Sequence, residues 1–315
     1  MTTARQQGTS SDNTSGNALV RQPVVADRFY PANPAELTRM VKACLQDAPE
    51  KRRKPTLLAM APHAGYIFSG GVAGYTLGQA NLPKTIFLLG PNHTGRGAGV
   101  SVWPEGAWRT PLGDVPVDAS LAAELCGICP QARPDTQAHL GEHSLEVLLP
   151  FLLLCVPDLQ IVPVAIGDST PGSLRSVGEA IAAIISQNAG RDEFRQAADG
   201  RTTSQEQEDG KEQKERRISM VVSSDMTHFE SRKEAERLDS MALEQVAALN
   251  PEGLYNTVRQ HNISMCGVLP MTAAMVACRI LGATRATLTR YATSGDITGD
   301  ESNVVGYAGA LVDWP

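Results

Sequence analysis

The sequence predicts an α/β fold: a single domain with a central mixed, largely parallel sheet flanked by helices. Three observations predict it. The runs LLAMA, IFLLG, QIVPVAI and ISMVV are short, rich in Ile, Leu and Val and bounded by Gly, Pro or Ser, as strands covered on both faces are. Helical patterns separate these runs, giving the strand and helix alternation of a layered fold. The chain has 315 residues, 42% hydrophobic and 20% charged, which is enough to bury a large core.

Residues 1–20 are rich in Ser, Thr, Gln, Asn and Gly and nearly without apolar anchors, so a disordered tail is expected there. The domain then occupies 21–315, with its packed part beginning near Val24. Asn33, Pro34 and Glu36 supply an N-cap, a first-turn proline and a capping-box acid for a helix bearing Leu37, Met40, Val41 and Leu45. A short helix follows His63, and Gly70, Gly71 and Gly74 are expected to let neighbouring chain approach it closely. The segment GVSVWPEGAWRTPLGDVPVD alternates like a hairpin with Pro and Gly turns, which predicts a side flap or a sheet edge.

Helices are predicted over 118–127 and 142–155, then the strand QIVPVAI and the apolar helix SLRSVGEAIAAIISQ. Residues 190–217 hold one aromatic and almost no aliphatic bulk. They read as a flexible insertion within one domain, because ISMVVSSD afterwards resumes the buried-strand pattern. Helices near 231–249, 251–260 and 267–282 and the strands ATLTRYATS and VVGYAGALV complete the chain.

The net charge of −6 argues against a general footprint for nucleic acid or an acidic membrane surface. No apolar stretch approaches the roughly 20 residues of a membrane span, and the N-terminus lacks a signal-peptide core, so a cytoplasmic location is expected. The six cysteines read as reduced thiols. Cys126 and Cys129 form a CxxC without the second pair that a zinc site needs. No P-loop, GxGxxG, GxSxG or HExxH pattern is present.

The chemistry concentrates where three strands end: His63 in APHAGY, His93 in GPNHTG, and Asp225 and His228 in SSDMTHF. Ligands of such sheets bind beyond the carboxyl ends of the strands. His63 and His93 are thirty residues apart, one βα unit, which predicts adjacent strands and a shared edge. Imidazole is the commonest metal ligand, although a hydrogen-bonded core histidine would look the same in sequence. Asp225 either caps the following turn or holds a histidine through its second ring nitrogen. Glu142 and His143 are read as opening an apolar helix, where the dipole accounts for Glu142 and leaves His143 to line the same cavity. Cys266 precedes a helix opened by Gly267 and Pro270. A thiol there tends toward thiolate, the metal-binding form, unless it is simply a buried inert cysteine; Cys278 reads as packing.

Together APHAGY with its following SGG, GPNHTG, GEHSLEVLLPFL, SSDMTHF and MCGVLP resemble the Memo family, also called AmmeMemoRadiSam system protein B. The resemblance runs from about Val24 to the C-terminus, broken by 190–217, and implies a fold like that of class III extradiol dioxygenases, which use non-haem iron(II). It implies His63, His93 and Cys266 as metal ligands, Asp225 and His228 as pocket residues, and His228 as the acid/base. Those dioxygenases use two histidines and a carboxylate, so a thiolate is a departure that suits iron(II), copper or zinc and alters oxygen chemistry. The leading expectation is an iron-dependent redox enzyme acting on an unknown small molecule. The alternative is a non-catalytic metal- or peptide-binding protein that works with radical-SAM and AMMECR1-like partners; zinc-hydroxide hydrolysis ranks third.

Overall fold

The four apolar runs form the middle of a nine-stranded sheet because both of their faces are covered. The computed structural model describes residues 19–198 and 217–315. Strands β2 (Thr56–Ala61), β3 (Thr85–Pro91) and β9 (Ile218–Ser223) are buried at every residue, and β8 (Gln160–Ile166) from its second residue on. They lie parallel in the order β2, β9, β3, β8. Antiparallel pairing closes both flanks: β12 (Val304–Asp313) on β2, and β4 (Val100–Val102) on β8, with β7 (Ala132–Pro134) beyond it. The strands β10 (His228–Glu230) and β11 (Thr287–Thr293) both pair with β12. The sheet is therefore mixed with a parallel centre, as predicted.

One topological expectation fails. β2 and β3 are not neighbours; β9 lies between them and pairs with both. The unit β2 to β3 skips one strand position, which a distant segment fills. Strands spaced about 4.8 Å apart put β2 and β3 about 10 Å from each other. Their loops must lean toward the middle strand for the two histidines to meet.

Side chains on β3 show why no alternation was visible. Ile86 and Leu88 join one apolar cluster and Phe87 and Leu89 the other. The first face packs against α1 (Pro34–Leu45), α2 (Tyr66–Gln79) and α4 (Leu149–Cys155). The second packs against α3 (Ala119–Ile128), α5 (Pro171–Ala198), α6 (Arg232–Ala247), α7 (Pro251–Gln260) and α8 (Val268–Ile280). Asn33 caps α1 as predicted, its side chain accepting from the backbone N–H groups of Ala35 and Glu36 at 3.0 and 3.1 Å. Of the three α2 glycines expected to allow close approach, Gly70 and Gly74 do so against Cys44. A Cβ at Gly74 would lie 2.3 Å from the Cys44 carbonyl oxygen, whereas Gly71 faces open space.

The hairpin-like segment divides between two sheets. β4 joins the main sheet, while β5 (Ala107–Thr110) pairs with β1 (Val20–Arg21) on one side and β6 (Gly113–Pro116) on the other in a three-stranded flap. The packed part of the domain thus starts ahead of Val24, at β1. The helix predicted from 142 begins later, as a 3-10 turn at Glu146–Leu148 leading into α4, and ahead of it the backbone N–H groups of His143 and Ser144 donate to the Glu142 side chain. α5 continues to Ala198, into the segment read as an insertion; 199–216, like the expected tail up to residue 18, lie outside the described residues. No described helix is long and apolar enough to cross a membrane.

Candidate metal centre

β2 ends at Ala61, and Pro62 turns the chain so that His63 leans over the end of β9. Ser223, opposite Ala61 in register, is then beneath the imidazole. Ser223 Oγ donates to the Ser144 carbonyl at 2.6 Å, so at 2.8 Å from His63 Nδ1 it must accept the ring proton. This assigns the Nδ1–H tautomer to His63 and leaves Nε2 as the lone-pair nitrogen, 3.5 Å from Cys266 Sγ. Burial, reinforced by the charge of His93, holds the His63 pKa down at about 3.

His93 is fixed by one carboxylate. Its backbone N–H donates to Glu142 Oε2 at 2.6 Å and its Nδ1 to Oε1 at 2.9 Å, which again leaves Nε2 as the lone-pair nitrogen. Glu142 is fully buried and also accepts from the backbone of His143 and Ser144, each at 2.9 Å. Burial works to raise its pKa, but the His93 ring bond and charge and the backbone donors prevail and hold it at about 2. Burial likewise works to lower the His93 pKa and is outweighed by Glu142, so the net shift is upward. The helix-dipole account of Glu142 is therefore replaced: it holds His93.

Behind Glu142 lies a second buried carboxylate. Glu146 accepts from Arg21 Nη1 at 2.8 Å, Tyr30 Oη at 2.6 Å and the backbone N–H groups of Val24 and Val25. Arg21 also donates to the carbonyls of His139 and Glu142. The N-terminal strand is thus stapled to the turn that carries Glu142 and His143.

Cys266 lies just before Gly267, the cap of α8. Its sulfur accepts from the Asp225 backbone N–H at 3.2 Å. The expected drift toward thiolate does not occur in the site as it stands. Burial, with the charge of Asp225 adding to it, pushes the thiol well above its ordinary range. A metal would have to displace that proton.

Donor atoms of His63, His93 and Cys266 all lie within 4.8 Å of one another. Bonds of metal-ligand length from a tetrahedral centre would separate a nitrogen and a sulfur by about 3.6 Å, which the His63 and Cys266 atoms already match. His93, Glu142 and His143 form a second such group. There the two Glu142 oxygens are already taken by four N–H donors, so its part is to orient His93.

The remaining predicted residues surround this group. His143 stacks on His93 with ring centroids 5.1 Å apart, and its edge meets His63 at 5.5 Å and Phe29 at 5.0 Å. Its Nδ1 is 3.6 Å from Glu142 Oε1, too long for a hydrogen bond. Asp225 holds His63 by the backbone: Oδ1 accepts its N–H at 2.8 Å, whereas Oδ2 is 4.0 Å from Nε2, so the expected bond to a ring nitrogen is not made. Burial raises the Asp225 pKa. His228 is half-buried at the start of β10, outside the imidazole cluster, with its backbone N–H on Ser264 Oγ at 2.7 Å and Nδ1 on the Ser264 carbonyl at 3.1 Å. Sequence reasoning missed Ser144, Ser223, Glu146 and Arg21. The serine pair SSD at a strand end was the one available signal.

A family model described as Memo-like protein matches residues 21–193 and 205–311. The chain belongs to the Memo family. Among its Memo relatives, the MEMO1 family protein of Methanopyrus kandleri is 39% identical, over 92% of this chain and 98% of that protein. Those of Methanocaldococcus jannaschii and Aquifex aeolicus are 37% and 36% identical, each over 93% of this chain and over 99% and 98% of their own lengths. The part matched to the Memo model takes in every residue of the site described above.

Proposed function

We propose that this Memo-family chain is a metal-dependent redox enzyme in which His63, His93 and Cys266 hold iron(II) and the surrounding loops receive a small substrate. One observation carries the reading. Both imidazoles have Nδ1 committed to a protein acceptor, Ser223 Oγ or Glu142 Oε1, so two Nε2 lone pairs and one sulfur remain as donors. Iron(II) bound by three protein donors would supply one-electron redox chemistry and open positions for oxygen and substrate.

The chain's own residues then divide the remaining work. Asp225 fixes the His63 loop through its backbone N–H. His228, whose Nδ1–H is held by the Ser264 carbonyl, keeps Nε2 to take or return a proton. His143 has ring nitrogens available to a substrate, and Phe29 and His93 fix its plane. The soft Cys266 donor also suits copper(I) or zinc, which favours metal binding without turnover as the second reading.

Iron and zinc measured in anaerobically purified protein test the proposal. Wild type is expected to carry stoichiometric metal, and His63→Ala and Cys266→Ser to lose most of it. Unchanged iron in both variants refutes the site. Metal-loaded protein that consumes no oxygen with any of a panel of small phenols and thiols supports the second reading.

A further inference from the structure

Phe229 is out of keeping with the rest of the fold. It follows His228 in β10, its side chain is 75% exposed, and its backbone lies at φ +62°. A left-handed conformation is costly for a residue with a bulky side chain, and an exposed aromatic ring gains nothing from burial. The pairing of β10 with β12 shifts register between His228 and Glu230, so a bulge turns the ring outward. The ring then tilts against the His228 imidazole with centroids 5.8 Å apart at 59°. His228 is three residues from Asp225 and rests on Ser264, two residues from Cys266.

Two other exposed apolar side chains lie close in sequence to site imidazoles. Ile67, 61% exposed, follows His63 on the first turn of α2, and Leu140, 48% exposed, precedes His143. The exposed ring and the left-handed backbone thus fall together beside the proposed acid/base.

We infer that Phe229 is a specificity-determining residue of the site, its ring forming a wall against which a flat, uncharged portion of the substrate rests beside His228. The inference rests on the proposed function, since it takes the His63, His93 and Cys266 group as the reactive centre. Strain at a ligand-contact residue has a signature that a structural role lacks. Glycine adopts φ +62° freely, so removing the ring should relieve the backbone and remove the contact together.

The test uses the full chain, with indole as a planar probe and cyclohexanol as a non-planar one, followed by ligand-observed NMR. Wild type is expected to bind indole in preference to cyclohexanol. Phe229→Gly is expected to weaken indole at least tenfold while its thermal midpoint stays level or rises, and Phe229→Trp to keep the binding. Equal indole binding by wild type and Phe229→Gly, no binding by either, or a binding loss accompanied by a lower midpoint overturns the inference. Metal content measured on the same samples separates the two ideas. Metal-free wild type fails the proposed function, whereas metal-loaded protein with indole binding indifferent to Phe229 fails only this inference.

Discussion

Replacing Glu142 by glutamine isolates what a buried carboxylate does for the proposed metal centre, because shape is kept and only charge and acceptor capacity change. Glu142 receives three N–H donors at Oε1 and one at Oε2, at distances from 2.6 to 2.9 Å. A carboxamide has one acceptor oxygen. Its better orientation keeps that oxygen at the Oε1 position, which turns the NH2 group toward the His93 backbone N–H. One charge-assisted bond is lost, worth about 1.5–3 kcal/mol, and a donor then faces a donor. The His93 ring keeps a neutral partner instead of a charged one. Loss of such an outer partner weakens metal binding by about 10–100-fold, equivalent to about 1.4–2.8 kcal/mol. Burial would then act on His93 without the opposing carboxylate, so its pKa should fall. Anaerobic iron(II) and zinc titrations against a competing chelator measure the first effect, and ring NMR of the metal-free protein the second. Glu252→Gln, which breaks only an exposed pair with Arg175, serves as the control. Glu142→Gln protein that folds normally and binds metal within twofold of wild type refutes the assigned role.

Three further outcomes are expected. Gly74→Ala should destabilise by about 1–3 kcal/mol, since the new methyl meets Cys44 backbone. Gly71→Ala, facing open space in the same helix, should stabilise by about 0.5–1 kcal/mol; thermal melts giving the two variants equal midpoints would remove the packing argument. Arg21→Met should cost about 3–5 kcal/mol in urea unfolding because Glu146 stays buried without its cation, and a loss under about 1 kcal/mol would mean that Tyr30 and the backbone donors suffice. Finally, buried His139 has its pKa lowered to about 4, chiefly by burial. Between that value and about 6.5 the unfolded chain binds a proton that the folded chain does not. Its contribution is therefore complete above pH 6.5 and is lost as pH falls toward 4, to a total of about 3 kcal/mol. His139→Gln should flatten that part of the stability profile, and an unchanged acid slope would contradict the reading.

The strands and most helices were legible because their causes are local. Asn33 caps α1 by its own side chain, and the runs that became β2, β3, β8 and β9 carry their burial in their composition. The three residues that the fold groups at the candidate site could be named from motif resemblance, since each stands at an element end. Their partners could not. Glu142 is 49 residues from His93 and Ser223 is 160 from His63, and no spacing rule links a carboxylate or hydroxyl to a ring so far away. Glu142 also had a sufficient local explanation, which concealed the distant one. The position of β9 between β2 and β3 was hidden for the same reason: strand order is a property of the assembled sheet.

That central place of β9 has a consequence for synthesis. A nascent chain holding only β2 and β3 has both histidines but lacks the strand that carries Ser223 and the later segment that supplies Cys266. Contacts between such distant segments form late, after the longest loop closures. Assembly of the candidate site thus waits for the last third of the polypeptide, and a partly made chain presents loose imidazoles in place of the finished group. Metal capture by the proposed site would then report that folding is complete.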